Sequence, residues 1–117
     1  MRAVILTVCA WAALLPLAAQ AHAHLLRAVP ADGSTIDSSP PQLRLIFGEA
    51  VTLTALSIQN TSAPAPMKLA GFPRQAAERF AIDLPQLAAG SYLVKWRALS
   101  DDSHLASGSI RFVLRAR

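Results

Sequence analysis

The sequence is poor in sulfur. Its 117 residues contain one cysteine, Cys9, and two methionines, Met1 and Met67. One cysteine cannot make an internal disulfide framework, and it cannot supply a thiolate metal cluster. Aromatic side chains are scarce as well, with four Phe, two Trp and one Tyr. No run of basic residues is interleaved with them, so nucleic-acid binding has little support. Beyond the first two dozen residues no stretch has convincing helical periodicity, and only residues 74–79 leave room for a single helical turn. Histidine is also rare: of three in the chain, two are His22 and His24.

What is present starts with a leader. Met1 and Arg2 form a basic start, and residues 3–17 are an apolar run without charge. Ala19 and Ala21 then stand in the A-x-A positions that an export peptidase reads. The run is shorter than the roughly 20 residues of a membrane span, and Pro16 interrupts it. An uncleaved anchor is the alternative. The expected organisation is a signal peptide over residues 1–21 and one domain over residues 22–117. Cys9 is then discarded with the leader, and Met67 becomes the one mature methionine. Removing Arg2 from the eleven Lys and Arg leaves ten, scattered along the chain, against seven Asp and Glu. A solvated surface is the expected role of that excess, with weak attraction to an anionic membrane surface as a second reading.

Within residues 22–117 the dominant pattern is alternation. Leu43, Leu45 and Phe47 form one apolar row; Phe80, Ile82 and Leu84 form another. Tyr92, Val94 and Trp96, then Ile110, Phe112 and Leu114, continue the pattern. Side chains two apart on a strand share a face, so each row marks a half-buried strand. Two further strands are expected near residues 25–29 and 51–59. Proline and glycine clusters separate them at residues 30–34, 38–41, 61–66, 71–73 and 89–90. Six or seven strands in under a hundred residues predict an all-β, antiparallel sandwich. Leu87-Ala-Ala-Gly90-Ser-Tyr92 has the form of a tyrosine corner, in which the phenol bonds back to nearby backbone. Trp96, Phe47, Phe80 and Phe112 are expected in the core.

Few polar residues remain for chemistry. Cleavage after Ala21 makes His22 the first residue, so its α-amine and an imidazole nitrogen can close a chelate ring on a metal. The amine's pKa, about 8, lets a metal displace its proton near neutral pH. Asp102 and His104 are two apart and, if extended, project to one side. Three nitrogens and a carboxylate oxygen suit Cu(II) in a tetragonal geometry, with zinc a weaker occupant. Glu49 follows the strand ending at Phe47. Each piece alone is weak, since isolated motif matches are often accidental.

Taken together, the pieces resemble the CopC family of periplasmic copper-binding proteins. The resemblance covers His22-Ala-His24-Leu25 with Pro30-Ala31-Asp32-Gly33, and Leu43-Arg-Leu45-Ile-Phe47-Gly-Glu49-Ala-Val51. Its most specific part is Leu87-x-x-Gly90-x-Tyr92-x-Val94-x-Trp96-x-x-x-Ser100-x-Asp102-x-His104-x-x-x-Gly108-x-x-x-Phe112. It implies an immunoglobulin-like or cupredoxin-like Greek-key sandwich and a periplasmic location. It implies a Cu(II) site in which His22 gives amine and imidazole, His104 a second imidazole and Asp102 an oxygen. Glu49 matches an acidic position near the metal, as an axial ligand or a group behind the ligands. His24 is expected to lie outside the ligand set. Two departures stand out. Ser103 occupies a place where the family commonly has glycine. The methionine-rich Cu(I) segment of some members is missing, since Met67 stands alone. The implied role is copper resistance or homeostasis without catalysis, with transfer to an inner-membrane partner of the CopD type. Two rival readings are a small copper oxygenase with an N-terminal histidine, for which Phe72 is the one obvious exposed aromatic, and a metal-free interaction module.

Overall fold

The computed structural model describes residues 24–116. The expected leader, its expected cleavage point and His22 lie outside the described residues. Among the described residues seven strands occur: β1 (Leu25–Val29), β2 (Ser34–Ile36), β3 (Gln42–Asn60), β4 (Met67–Lys68), β5 (Ala77–Asp83), β6 (Gly90–Ser100) and β7 (Leu105–Leu114). Among the described residues there is no helix, so none is long and apolar enough to cross a membrane. The single turn allowed at residues 74–79 does not form. Arg74 and Gln75 bend, and Ala77 already opens β5, where Phe80 and Ile82 bury their side chains at period two.

β3 organises the rest. The sequence reading expects two strands separated by an acidic turn at Glu49; the structure has one strand of 19 residues. Residues 42–46 lie between β1 and β5. Residues 51–60 pair with β6, and Ser57 and Ile58 also pair with β4. The β5 register breaks between Ile46 and Val51, where the strand passes from one layer to the other. One layer is therefore β1–β3–β5, and the other is β4–β3–β6–β7–β2. A second irregularity between Leu53 and Ala55 leaves Thr54 and Ala55 both exposed. It is a bulge, and it resets the alternation so that Leu56 and Ile58 point inward again.

The layers meet as a β-sandwich over an apolar core. Phe47 sits at its centre, edge-on to Phe80 at 5.9 Å and to Trp96 at 5.1 Å between ring centroids. Tyr92 stacks on Phe112 at 5.2 Å. These are the four expected core aromatics and the corner tyrosine. The corner itself forms: the Tyr92 hydroxyl donates to the Ala88 carbonyl at 2.5 Å, a bond worth about 1 kcal/mol. One ladder departs from the antiparallel expectation, because β2 runs parallel to β7. The preceding turn causes this. Gly33, at φ +78°, donates to the Arg111 carbonyl at 2.7 Å, while Asp32 accepts from the Arg111 amide at 2.8 Å. The chain leaving β1 is thereby pinned to β7 and continues along it.

Gly108 faces Trp96 across the β6–β7 ladder. A Cβ there would lie 2.7 Å from the indole ring, inside any real contact distance, and the ring is buried. Gly108→Ala is therefore expected to destabilise the domain by about 1–3 kcal/mol through overpacking. Urea denaturation followed by Trp96 fluorescence measures it.

Candidate metal site

The hairpin between β6 and β7 carries two of the candidate ligands. It closes with a turn in which the Ser103 amide donates to the Ser100 carbonyl at 3.0 Å, and the Ser100 amide donates to the His104 carbonyl at 3.0 Å. Three residues thus form the loop, and the third of them must take a left-handed conformation. Ser103 does so, at φ +64°. Glycine adopts that geometry freely, whereas an L side chain there costs about 1 kcal/mol. This is the physical meaning of the departure at Ser103: the turn is retained, with strain where glycine would have none.

Ser100 is a buried polar residue, 5 % exposed, and the side chains above it are built on it. Its hydroxyl donates to one carboxylate oxygen of Asp102 and lies 3.1 Å from the His104 carbonyl. The other Asp102 oxygen is 2.8 Å from His104 Nδ1. An ionised carboxylate only accepts, so Nδ1 carries a proton. Both side chains remain open to solvent, His104 at 61 % and Asp102 at 49 %. The bonds from Ser100 and then from His104 hold the Asp102 carboxyl at about 2, below its usual 3.8. The sequence reading treats Asp102 as a direct oxygen donor. In the structure one of its oxygens accepts from Ser100 and the other from His104 Nδ1, and each oxygen keeps a further lone pair. Ser100 entered the sequence reading only as part of a motif. The signal that marks it is its β6 phase, which turns the hydroxyl inward with Val94, Trp96 and Ala98.

The other candidates reach this end of the sandwich through the ladders. The His24 carbonyl accepts from the Gly48 amide at 2.9 Å, next to the Leu25–Phe47 pair that starts β1. Three residues beyond Gly48, Val51 opposes Ser100. The start of β1, the crossing segment of β3 and the hairpin are therefore neighbours. Glu49 lies in that segment, half-buried, with Oε1 shielded from solvent and lacking a hydrogen-bond partner among the described residues. An unpaired buried carboxylate oxygen is costly. His24 lines a groove of about 900 Å³ between β1 and β7. Among the described residues, no three His, Cys, Asp or Glu side chains converge closely enough to hold a metal. His22, which the sequence reading makes the principal donor, lies outside those residues.

The Asp102 network gives a direct test. Because the folded carboxyl is depressed, its contribution to stability is complete above the ordinary value near 4 and disappears as pH falls through about 2. Carboxyl-carbon NMR of the metal-free protein should show Asp102 titrating near 2. Ser100→Ala removes the larger cause and should move that midpoint upward, toward the ordinary carboxylate range.

Comparison with known proteins agrees with this architecture. Residues 25–115 match the family model described as the CopC domain. Copper resistance protein C of Escherichia coli is 31% identical over 107 residues, covering 83% of this chain and 84% of that one. Copper resistance protein C of Xanthomonas campestris pv. juglandis is 33% identical over 114 residues, covering 89% and 88%. The crystal structure of CopC from Methylosinus trichosporium OB3b superposes with a TM-score of 0.68 at 30% identity, covering 80% of this chain and 93% of that one. That of PcoC, a methionine-rich copper resistance protein from Escherichia coli, superposes with a TM-score of 0.61 at 30% identity, covering 81% and 100%. In place of that richness, this chain has Met67 alone among its described residues, half-exposed on β4. The match spans the whole β-sandwich, and the chain belongs to the CopC family.

Proposed function

We propose that the exported protein binds Cu(II) at the end of the sandwich where β1 begins, serving copper resistance in the periplasm. The relatives are named for copper resistance. The observation that carries the reading is the set hydrogen-bonded state of His104: Asp102, itself anchored by buried Ser100, accepts from the Nδ1–H and orients the ring so that Nε2 is the nitrogen for a metal. Cleavage after Ala21 adds the amine and imidazole of His22, two residues before the His24–Gly48 contact. A span of two residues is short, about 7 Å when extended, so this amino terminus stays close to the start of β1. The donor set is then three nitrogens, with an Asp102 oxygen able to join through a lone pair that its hydrogen bonds leave. Glu49 Oε1, buried and unpaired among the described residues, supplies negative charge nearby that a cation would compensate.

Nitrogen and oxygen donors favour Cu(II) over Cu(I), which prefers sulfur. Reduction therefore weakens the site and offers a route of release, to an inner-membrane acceptor of the CopD type. The protein acts as a carrier and not as a catalyst. The exposed aromatic platform that a polysaccharide oxygenase would need has little support, since Phe72 is half-buried against the core.

The test is mass analysis of the exported protein followed by Cu(II) EPR. Protein beginning at His22 should give a nitrogen-rich tetragonal signal. One extra residue before His22 should abolish the amine donor and change that signal, lowering affinity by at least about tenfold. His104→Ala should weaken binding more than His24→Ala does. Exported protein that starts elsewhere and yet binds copper unchanged contradicts the reading.

A further inference from the structure

The outer face of the larger sheet carries a trough that the metal chemistry does not use. Ladder register sets its floor. Ser57, Lys95 and Ser109 lie in one row across β3, β6 and β7, and Ala55, Arg97 and Ser107 lie in the next. β4 and the residues that follow it to Arg74 make one wall, enclosing about 650 Å³. Four cations line it, Lys68, Arg74, Lys95 and Arg97, and no Asp or Glu does. None of the four pairs with a carboxylate among the described residues. Their neighbours in the rows are serine and alanine, too short to cover Lys95 and Arg97. Half-buried Phe72 adds an apolar face, with the Arg74 guanidinium 5.7 Å from its ring centroid.

Unpaired like charges in one recess repel, and an anion relieves that repulsion. The spacing says which kind. Lys95 and Arg97 are two apart on one strand, so they stand about 7 Å from each other. Carboxylates at alternate positions of an extended peptide recur at the same interval. The wall formed by β4 and the Phe72 segment gives such a peptide an apolar contact on one side. We propose that this trough binds an extended acidic segment of a partner protein, with carboxylates at alternate positions. The interaction needs no metal. The rows lie on the sheet face, separated from the hairpin by the Leu99–Leu105 pair.

Fluorescence anisotropy tests it, using the exported protein and a labelled peptide with glutamate at alternate positions and one phenylalanine. The peptide should bind, the glutamine version should not, and salt should weaken the complex. A Lys95→Gln/Arg97→Gln protein should lose at least about tenfold in affinity. Arg27→Gln/Arg44→Gln has the same net charge, changes two exposed positions in the other layer, and should bind within about twofold of the unaltered protein. In the unaltered protein, amide shifts on peptide addition should centre on residues 95–97 and 107–109, a readout that does not depend on any variant folding. Equal loss in both variants would reduce the effect to net charge and overturn the proposal. So would shifts centred elsewhere, absence of peptide binding, or binding of phosphatidylglycerol vesicles through Lys95 and Arg97 without binding of the peptide.

Discussion

The passage of β3 between layers is the constraint on which the remaining architecture rests. A strand of 19 residues would extend about 60 Å if straight, far beyond the depth of a small sandwich. It bends instead. Its first residues pair with β1 and β5, and its later ones with β6 and β4. Phe47 stands just before the crossing and contacts Phe80 from its own layer and Trp96 from the other. That contact resists separation of the layers, because truncating a buried Phe costs about 3–5 kcal/mol. The same crossing brings His24 beside Gly48 and Val51 opposite Ser100. A single covalent segment therefore sets the distance between the start of β1 and the β6–β7 hairpin.

The hairpin converts that position into chemistry in three steps, each resting on the one below. Ser100 is buried and fixed by the β6 ladder. Its hydroxyl fixes a carboxylate, and the carboxylate fixes an imidazole tautomer. The first step is rigid and the last is open to solvent, so the nitrogen facing outward is set by groups facing inward. Ser103 carries the strain of the turn that permits this. Asp102 is held ionised well into acid, which keeps its acceptor role toward His104.

Much of this was legible in the sequence, and the exceptions have physical causes. Period-two rows placed the first part of β3 and all of β5, β6 and β7, and the tyrosine corner followed from spacing alone. The continuity of β3 was hidden because Gly48-Glu49-Ala50 has the composition of a turn, although its backbone is held by His24 on one side and by the ladder at Val51 on the other. The bulge at Thr54 leaves a trace, since Leu53 and Leu56 are three apart where a regular strand requires two. β2 and β4 are too short to show periodicity; they exist because the Asp32–Arg111 and Leu69–Leu56 contacts hold them in place. The spacing of Asp102 and His104 suggested a shared side, but their mutual bond was not legible, because alternation gives direction and says nothing of partners. Ser100 continues the inward row of Tyr92, Val94 and Trp96 by phase, but alternation does not say which groups its hydroxyl meets.

The convergence of three segments at one end of the sandwich is tested most directly by adding one equivalent of Cu(II) to the exported protein and mapping paramagnetic broadening of its amide resonances. Broadening should centre on residues 24–25, 48–49 and 100–105 together, while Thr61 and residues 90–92 at the opposite end of β6 stay sharp. Broadening confined to the amino terminus with the hairpin unaffected, or centred on Met67, would contradict it.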